Sequence, residues 1–264
     1  MFILVLQGKS FGILRFEWDE KTMRYGIFAD IHSNLEAFEA VIEAYQDEKI
    51  DAYFCCGDIV GYGANPCECV AYIRKMKARC VAGNHDWAAA EKIVTEKFND
   101  HAKEAIAWTL AQIVDTDKEF LKSLKLVDRL EDFILVHGTL HDPEAFNYLV
   151  NFSQVVQTFA LMDRAICFVG HSHIPRIFIE TENGEVREHD GGVVNVELKN
   201  RYIVNVGSVG QPRDGHPEAS YCIVDSTKRM IELKRVAYDV NRAQEKILKA
   251  GLPPRLATRL ALGK

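Results

Sequence analysis

Five apolar runs of strand length in this chain each end in a short cluster of metal-ligand residues: Asp30-Ile31-His32, Gly57-Asp58, Gly83-Asn84-His85-Asp86, His137-Gly138 and Gly170-His171-Ser172-His173. The fold must therefore deliver five strand ends to one place if these side chains are to act together. The first half supplies a means. Tyr25 to Ala29, Ala52 to Cys56 and Arg79 to Ala82 have strand composition, and Leu35, Phe38, Ile42 and Tyr45 fall at helical spacing between the first two. Ser33 with Glu36 forms the pattern of a capping box that starts this helix. Asn65 and Pro66 mark the start of the next one. A β-α-β-α-β rhythm implies parallel strands with right-handed crossovers and a site at their carboxyl ends, where the first three clusters sit.

Beyond Trp87 the chain becomes helical as far as Leu124, with Ala105, Trp108, Leu110 and Ile113 as packing positions. Strands resume at Phe133 to Val136 and Ile166 to Val169, directly before the last two clusters. Arg176 to Glu182, an Asn183-Gly184 turn, Glu185 to Asp190, Tyr202 to Val206, Tyr221 to Asp225 and Met230 to Val236 predict antiparallel strands. Two β-layers flanked by helices follow. Asp239 to Lys264 predicts two helices, divided by Gly251 and restarted at Pro253-Pro254. Residues 23–264 are expected to form one domain, since α/β architectures of this length remain undivided. Residues 1–22 read either as an extra hairpin, Phe2 to Leu6 and Phe11 to Phe16 around Gly8-Lys9-Ser10, or as upstream sequence from a misassigned start before Met23.

Composition narrows the chemistry. A net charge of −6 without any Lys/Arg block argues against stable nucleic-acid binding. Seven cysteines, an odd number and without a zinc-type spacing, predict reduced thiols in a cytoplasmic protein; Cys55-Cys56 and Cys67-Glu68-Cys69 read as structural. No apolar run reaches the ~20 residues of a membrane span, and Phe2 to Leu6 lacks the flanks of a signal peptide.

The five clusters offer carboxylates and imidazoles suited to a two-metal site, which binds a phosphoryl group between its ions. Asp30 and His32 are expected to point the same way on an extended segment. Asp58 is suited to bridge two ions, His171 and His173 address one each, and Asn84 adds a neutral oxygen ligand. Two divalent cations bring +4 and the two carboxylates −2, leaving a surplus of about two positive charges that suits an anionic phosphoester and lowers the pKa of a bridging water towards ~7. Imidazole-rich ligation favours Mn²⁺, with Fe, Zn, Ni or Co as the other choices, over Mg²⁺. A lone histidine at a strand end is more often a surface or core residue, and His101, His141, His189 and His216 take that reading.

The ordered set D-x-H, G-D, G-N-H-D, H-G and G-H-S-H resembles the calcineurin-like metallophosphoesterases. Asn205 to Asp214 (N-V-G-S-V-G-Q-P-R-D) and the H-G-x-x-x-D-P-x-x-x-x-Y stretch from His137 to Tyr148 look like their compact prokaryotic phosphodiesterase branch. The resemblance implies an α/β fold, the two-sheet α-β-β-α sandwich of that family. It also implies one ion held by Asp30, His32, Asp58 and His173 and a second by Asp58, Asn84, His137 and His171. A metal-bridging hydroxide would then attack a small phosphodiester or nucleotide in line. His85 is left to face the substrate as a catalytic group, with Asp86 orienting it, and Asn84, Arg213 and Tyr148 are candidate substrate contacts. Arg213 clamps phosphate or pairs with Asp214 or another carboxylate; Gly207, Gly210 and Pro212 form part of the site or only a tight turn. Trp87, Trp108 and Phe146 read as core, and Asn34 as a helix start.

The protein phosphatase branch has Asp-Arg-Gly where this chain has Gly61-Tyr62-Gly63, so protein phosphatase or monoesterase activity is the weaker reading. A protein-binding scaffold would show eroded ligands, and none is missing here. A DNA nuclease of the same family would show a basic groove.

Overall fold

The computed structural model describes residues 22–189 and 191–264; the expectation of an N-terminal hairpin falls outside them. The first crossover units are β1 (Arg24–Phe28), α1 (Leu35–Gln46), β2 (Ala52–Cys55), α2 (Pro66–Met76) and β3 (Arg79–Cys80). Three helices follow: α3 (Asn84–Ala89), α4 (Asp100–Gln112) and α5 (Asp115–Ser123). Then come β4 (Val127–Arg129), β5 (Phe133–Val136), α6 (Phe152–Leu161) and β6 (Ile166–Val169). The chain continues through β7 (Arg176–Glu180), β8 (Val186–His189), β9 (Val193–Asn195), β10 (Arg201–Asn205), β11 (Ala219–Asp225) and β12 (Met230–Val236). It closes with α7 (Val240–Lys249), α8 (Pro254–Thr258) and a 3₁₀ turn at Leu260–Leu262.

These strands form two six-stranded mixed sheets, ordered β3-β2-β1-β11-β12-β9 and β4-β5-β6-β10-β7-β8. β1, β2 and β3 run parallel, with Tyr25 opposite Ala52 and Phe54 opposite Arg79. β5, β6 and β10 run parallel in the other sheet. The second half is therefore mixed rather than wholly antiparallel: β10 lies between β6, its parallel neighbour, and β7, its antiparallel one.

The sheets pack face to face through Ile27, Phe54, Leu135, Phe168, Val204 and Val224. Outward-facing Phe28, Cys55 and Ile223 lie under Phe38, Val41 and Tyr45 of α1 and Val70 and Ile73 of α2. Val155 and Phe159 of α6 cover the second sheet's outer face. Burial on both faces explains why the parallel strands read as continuous apolar runs, and the result is the expected α-β-β-α sandwich.

Three local expectations change. Asn34, not Ser33, caps α1, its side chain accepting from the Ala37 N–H at 3.2 Å. Ser33 has a φ of 55° and cannot form the capping box, while Glu36 pairs with Arg242 at 3.2 Å and Lys246 at 2.5 Å. Asp30 and His32 also have positive φ, 55° and 50°, so the first cluster is a tight loop and not an extended segment. Among the packing positions of α4, Trp108 and Leu110 are only partly buried; Ala102, Ala105, Ile106 and Thr109 form its inner face.

Candidate metal centre

The loops that leave β1 and β2 stay paired after the strands end. Asp30 N–H donates to the Gly57 carbonyl at 2.9 Å, His32 N–H to Asp58 at 3.0 Å and Ser33 N–H to Ile59 at 3.0 Å. Asp86, expected to orient His85, has another task. Its carboxylate accepts from the backbone N–H groups of Asp58 (2.9 Å), Ile59 (2.8 Å), Val60 (3.2 Å) and Gly83 (3.0 Å). All its acceptor capacity is used in holding the Asp58 loop against α3.

The loop after β10 buttresses the Asp30 turn. Val209 N–H donates to Ala29 at 3.0 Å, Gly210 N–H to Asp30 at 2.9 Å, and the Ser208 hydroxyl to the Asp30 carbonyl at 2.8 Å. Gly210 is more than a turn residue, because a Cβ there would run into the Ile31 carbonyl. Gly210→Ala is expected to lower stability by about 2–3 kcal/mol through overpacking against backbone, read as a lower urea midpoint at unchanged slope.

These contacts hold Asp30, His32, Asp58, His171 and His173 in the left-handed region, with φ between 50° and 69°. Such conformations cost roughly 1–3 kcal/mol each for residues other than glycine and persist only where the surroundings over-determine them.

Six of the seven expected ligands converge in space. Asp30, His32 and His173 form one buried group whose ligand atoms lie within 4.8 Å of one another, and Asp58, His137 and His171 form another. Asp58 Oδ2 lies between them, 3.6 Å from His32 Nε2 and 3.3 Å from His137 Nε2. That is the position a bridging carboxylate requires. His32, Asp58 and His85 form a third such group, which places His85 beside the other two.

Hydrogen bonding tests whether these residues fit cations. His32 Nδ1 meets the Val60 carbonyl at 3.1 Å and His173 Nδ1 meets the Gln211 carbonyl at 2.6 Å. A carbonyl only accepts, so each Nδ1 carries the proton and each Nε2 presents a lone pair. Those two lone pairs face each other at 3.0 Å, an arrangement that repels unless a cation or proton lies between them. In the second group His137 Nδ1 is likewise held by the Cys56 carbonyl at 2.7 Å, and its Nε2 faces His171 Nδ1 at 2.9 Å. Asp30 Oδ1 and Asn84 Oδ1 are buried with no hydrogen-bond partner, whereas Asp30 Oδ2 accepts from His171 N–H at 2.9 Å. Buried acceptors without donors are costly, and all of these point to the same metal-sized demand.

Titration agrees. Burial pushes the Asp30 carboxyl up to about 7 despite the pull of His137. Burial also opposes charge on His137, but Asp58 and Asp30 overcome it and push that imidazole up to about 9. Burial holds His32, His171 and His173 well below the usual imidazole value, so they stand as neutral ligands.

His85 is gripped by rings rather than by Asp86: Tyr62 at 4.4 Å, His32 at 4.9 Å and Phe98 at 5.1 Å between centroids. Its Nδ1 is buried and unpartnered. Burial pushes it down to about 4, with Arg213 and His137 adding to the depression against Asp58. The free protein therefore carries His85 neutral.

Arg213 lies at the rim, its guanidinium carbon 5.9 Å from the Tyr62 ring centre and its Nη2 donating to Gln211 Oε1 at 2.8 Å. Asp214 pairs with Arg235 instead, so the Arg213–Asp214 alternative falls. Tyr148, 45% exposed, stacks on His171 at 3.9 Å with a 16° interplanar angle. Trp87 packs edge-on against Phe146 in the core, as expected. Tyr62 and Phe98 were not singled out from the sequence; only the position of Tyr62 in the glycine loop after Asp58 marked it.

The chain belongs to the calcineurin-like phosphoesterase superfamily, whose domain model matches residues 23–229. It is 43% identical over 242 residues to the uncharacterized protein MJ0912 of Methanocaldococcus jannaschii, a match covering 90% of this chain and 97% of that protein. A metallophosphoesterase from Sphaerobacter thermophilus superposes with a TM-score of 0.83 at 38% identity, covering 92% of this chain and 100% of that one. The hypothetical protein PH1004 of Pyrococcus horikoshii OT3 shares the fold at a TM-score of 0.73 and 20% identity, over 92% of this chain and 99% of that one. The resemblance carried by the five motifs is thus that of the family itself.

Proposed function

We propose that this protein is a metal-dependent phosphodiesterase acting on a small phosphodiester or nucleotide. One divalent ion would be held by Asp30, His32, Asp58 and His173 and a second by Asp58, Asn84, His137 and His171. The observation that carries the reading is the pair of opposed Nε2 lone pairs of His32 and His173, fixed by carbonyls on their far sides at 3.1 and 2.6 Å. When bound, the two cations supply Lewis-acid charge and a water of lowered pKa; the imidazole-rich donor set favours Mn²⁺, Fe, Zn, Ni or Co.

The chain's own residues do the rest. Asp58 holds the two ligand groups in register, and the Asp86 carboxylate keeps Asp58 there. The His85 imidazole, neutral until an anion arrives, gains a proton with the substrate and gives it to the departing oxygen. Arg213 binds a non-reacting phosphate oxygen and Tyr148 lines the entrance. The absence of Asp-Arg-Gly after Asp58 supports a diester over a phosphoprotein, and the H-G-x-x-x-D-P-x-x-x-x-Y and N-V-G-S-V-G-Q-P-R-D segments support the phosphodiesterase branch. All seven cysteines are free, which fits a reducing compartment, and no helix among the described residues is long and apolar enough to cross a membrane.

The test is hydrolysis of bis(4-nitrophenyl) phosphate by chelator-stripped protein before and after Mn²⁺ is restored. Activity should appear only with metal. Protein that binds metal yet stays inert on diester and monoester alike would replace the enzyme by a protein-binding scaffold. In the active enzyme, His85→Asn is expected to lower kcat about 10²-fold or more with little change in KM, because the proton is needed only in the transition state.

A further inference from the structure

The main chain of His85 is fixed, its N–H donating to Asp58 Oδ1 at 2.9 Å, but its ring is held differently. Nδ1 is buried without a partner and faces the α-carbon of Gly61, where an added Cβ would run into it. The last torsion of a histidine is broad, so without a hydrogen bond at Nδ1 the plane of the ring is set by what packs against it. That packing is aromatic: Tyr62 at 4.4 Å and 51°, Phe98 at 5.1 Å and 44°, and His32 edge-on at 4.9 Å and 82°. With Nδ1 walled off by Gly61, Nε2 is the nitrogen left to reach a substrate, and turning the ring moves it.

Tyr62 bears a cost for its place. Its φ of 59° lies in the left-handed region, at roughly 1–3 kcal/mol that a glycine would avoid, and glycines stand on both sides of it. The ring is therefore what the position needs. It is buried, and besides His85 it meets the His32 ring at 4.6 Å between centroids and borders the Arg213 guanidinium at 5.9 Å. Tyr62 and Phe98 join one apolar cluster with Ala105 of α4, Ile247 of α7, Leu256 of α8 and Leu260. α7 is latched to the start of the sandwich: Glu36 pairs with Arg242 and Lys246, and Lys246 also donates to Asn65 Oδ1 at 3.1 Å. A cluster serving packing alone would be complete with apolar neighbours. This one presents two rings to an imidazole grouped with His32 and Asp58.

We propose that Tyr62 and Phe98 are positioning residues for His85, their rings setting the imidazole plane that a hydrogen bond at Nδ1 would otherwise set. The proposal rests on the phosphoesterase reading and extends it past the ligands. Both residues act through His85, and neither is required to touch the substrate. The support behind them comes from α7 and α8, which lie beyond residues 23–229 that match the family domain.

Steady-state hydrolysis of bis(4-nitrophenyl) phosphate by the full-length, Mn²⁺-loaded protein tests this in a double-mutant cycle. Tyr62→Leu should lower kcat about tenfold or more with KM changed less than about twofold, since misplacing a catalytic group by ~1 Å costs up to about 10²-fold. Tyr62→Phe, which keeps the ring, should retain at least about half of the wild-type kcat. In a His85→Asn background Tyr62→Leu should cost nothing further, because residues that act as a unit are not additive. If Tyr62→Leu does not fold, Phe98→Leu carries the same cycle. A loss of equal size in both backgrounds, or a folded variant with wild-type kcat, overturns the positioning role. A second readout needs no turnover. In the Zn²⁺-loaded protein the His85 ring proton between the two nitrogens should resonate upfield of a free imidazole, shifted by the neighbouring rings, and Tyr62→Leu should move it back. A protein inert on the diester that shows this shift and its loss keeps the positioning and removes the enzyme; a resonance unmoved by the substitution removes the positioning whether or not the protein turns over.

Discussion

Asp58→Asn is expected to reduce phosphodiester hydrolysis by about 10³-fold or more while leaving the protein folded. The side chain is isosteric, and its amide oxygen still accepts from His85 N–H, as Oδ1 does now at 2.9 Å. What changes is the atom facing both ligand groups. Asp58 Oδ2 now lies 3.6 Å from His32 Nε2 and 3.3 Å from His137 Nε2; an NH₂ group there has no lone pair to offer a cation. The variant also removes one of two carboxylate charges, so the centre loses both the bridge and half the negative charge that offsets two divalent ions. The several kcal/mol of transition-state stabilisation supplied by a metal pair then goes, which is the origin of the factor of 10³. Elemental analysis should show bound metal falling from two ions to one or fewer, with an unchanged circular dichroism spectrum. An Asp58→Asn protein within tenfold of wild-type activity would end the two-metal reading.

How much of this centre was legible before the fold depended on how many alternatives each residue had. The strands ahead of the five clusters are buried on both faces, so a run such as Phe133–Val136 is apolar throughout and stands out against polar loop ends. The convergence of the first three clusters followed from β-α-β connectivity, since parallel strands put their carboxyl ends on one edge, whereas the last two lie at the ends of β5 and β6 in the other sheet. Asp86 was misjudged because sequence adjacency to His85 suggested a contact, whereas on the first turn of α3 adjacent side chains diverge and backbone donors of the Asp58 loop were nearer. Ser33 and Asn34 are both good caps; only the loop that pairs Ser33 N–H with Ile59 at 3.0 Å decides between them.

Short elements escaped for a different reason. β4 and β9 have three residues each, too few to show a period. α6 was missed despite a usable signal: Asn151 and Gln154 form a reciprocal capping box, with Gln154 N–H donating to Asn151 at 3.0 Å.

Removing the metals should lower the melting temperature by about 10 °C or more, and Mn²⁺ should restore it in a concentration-dependent way. Two contributions point in that direction. The first is mass action: an ion present at a hundred times its dissociation constant adds about 2.7 kcal/mol, and two ions about 5 kcal/mol. At roughly 2–4 °C per kcal/mol for a chain of this size, the shift lies at about 10–20 °C. The second is local. Without cations the centre keeps opposed lone pairs on His32 and His173 at 3.0 Å, a buried Asp30 Oδ1 without a donor and five ligand residues at positive φ. The unfolded chain has none of these penalties, so binding relieves the native state alone. Thermal unfolding of stripped protein titrated with Mn²⁺ and with Mg²⁺ measures the effect, and the imidazole-rich donor set predicts the larger shift for Mn²⁺. Asp58→Asn should flatten the Mn²⁺ curve even where its own unliganded midpoint matches the wild type, because the loss is in the cations' hold and not in the core. A Mn²⁺ shift below about 2 °C in the wild type would mean that the loops around Asp30 and His173 are held by the 205–213 segment alone. Their strained backbone would then owe nothing to metal.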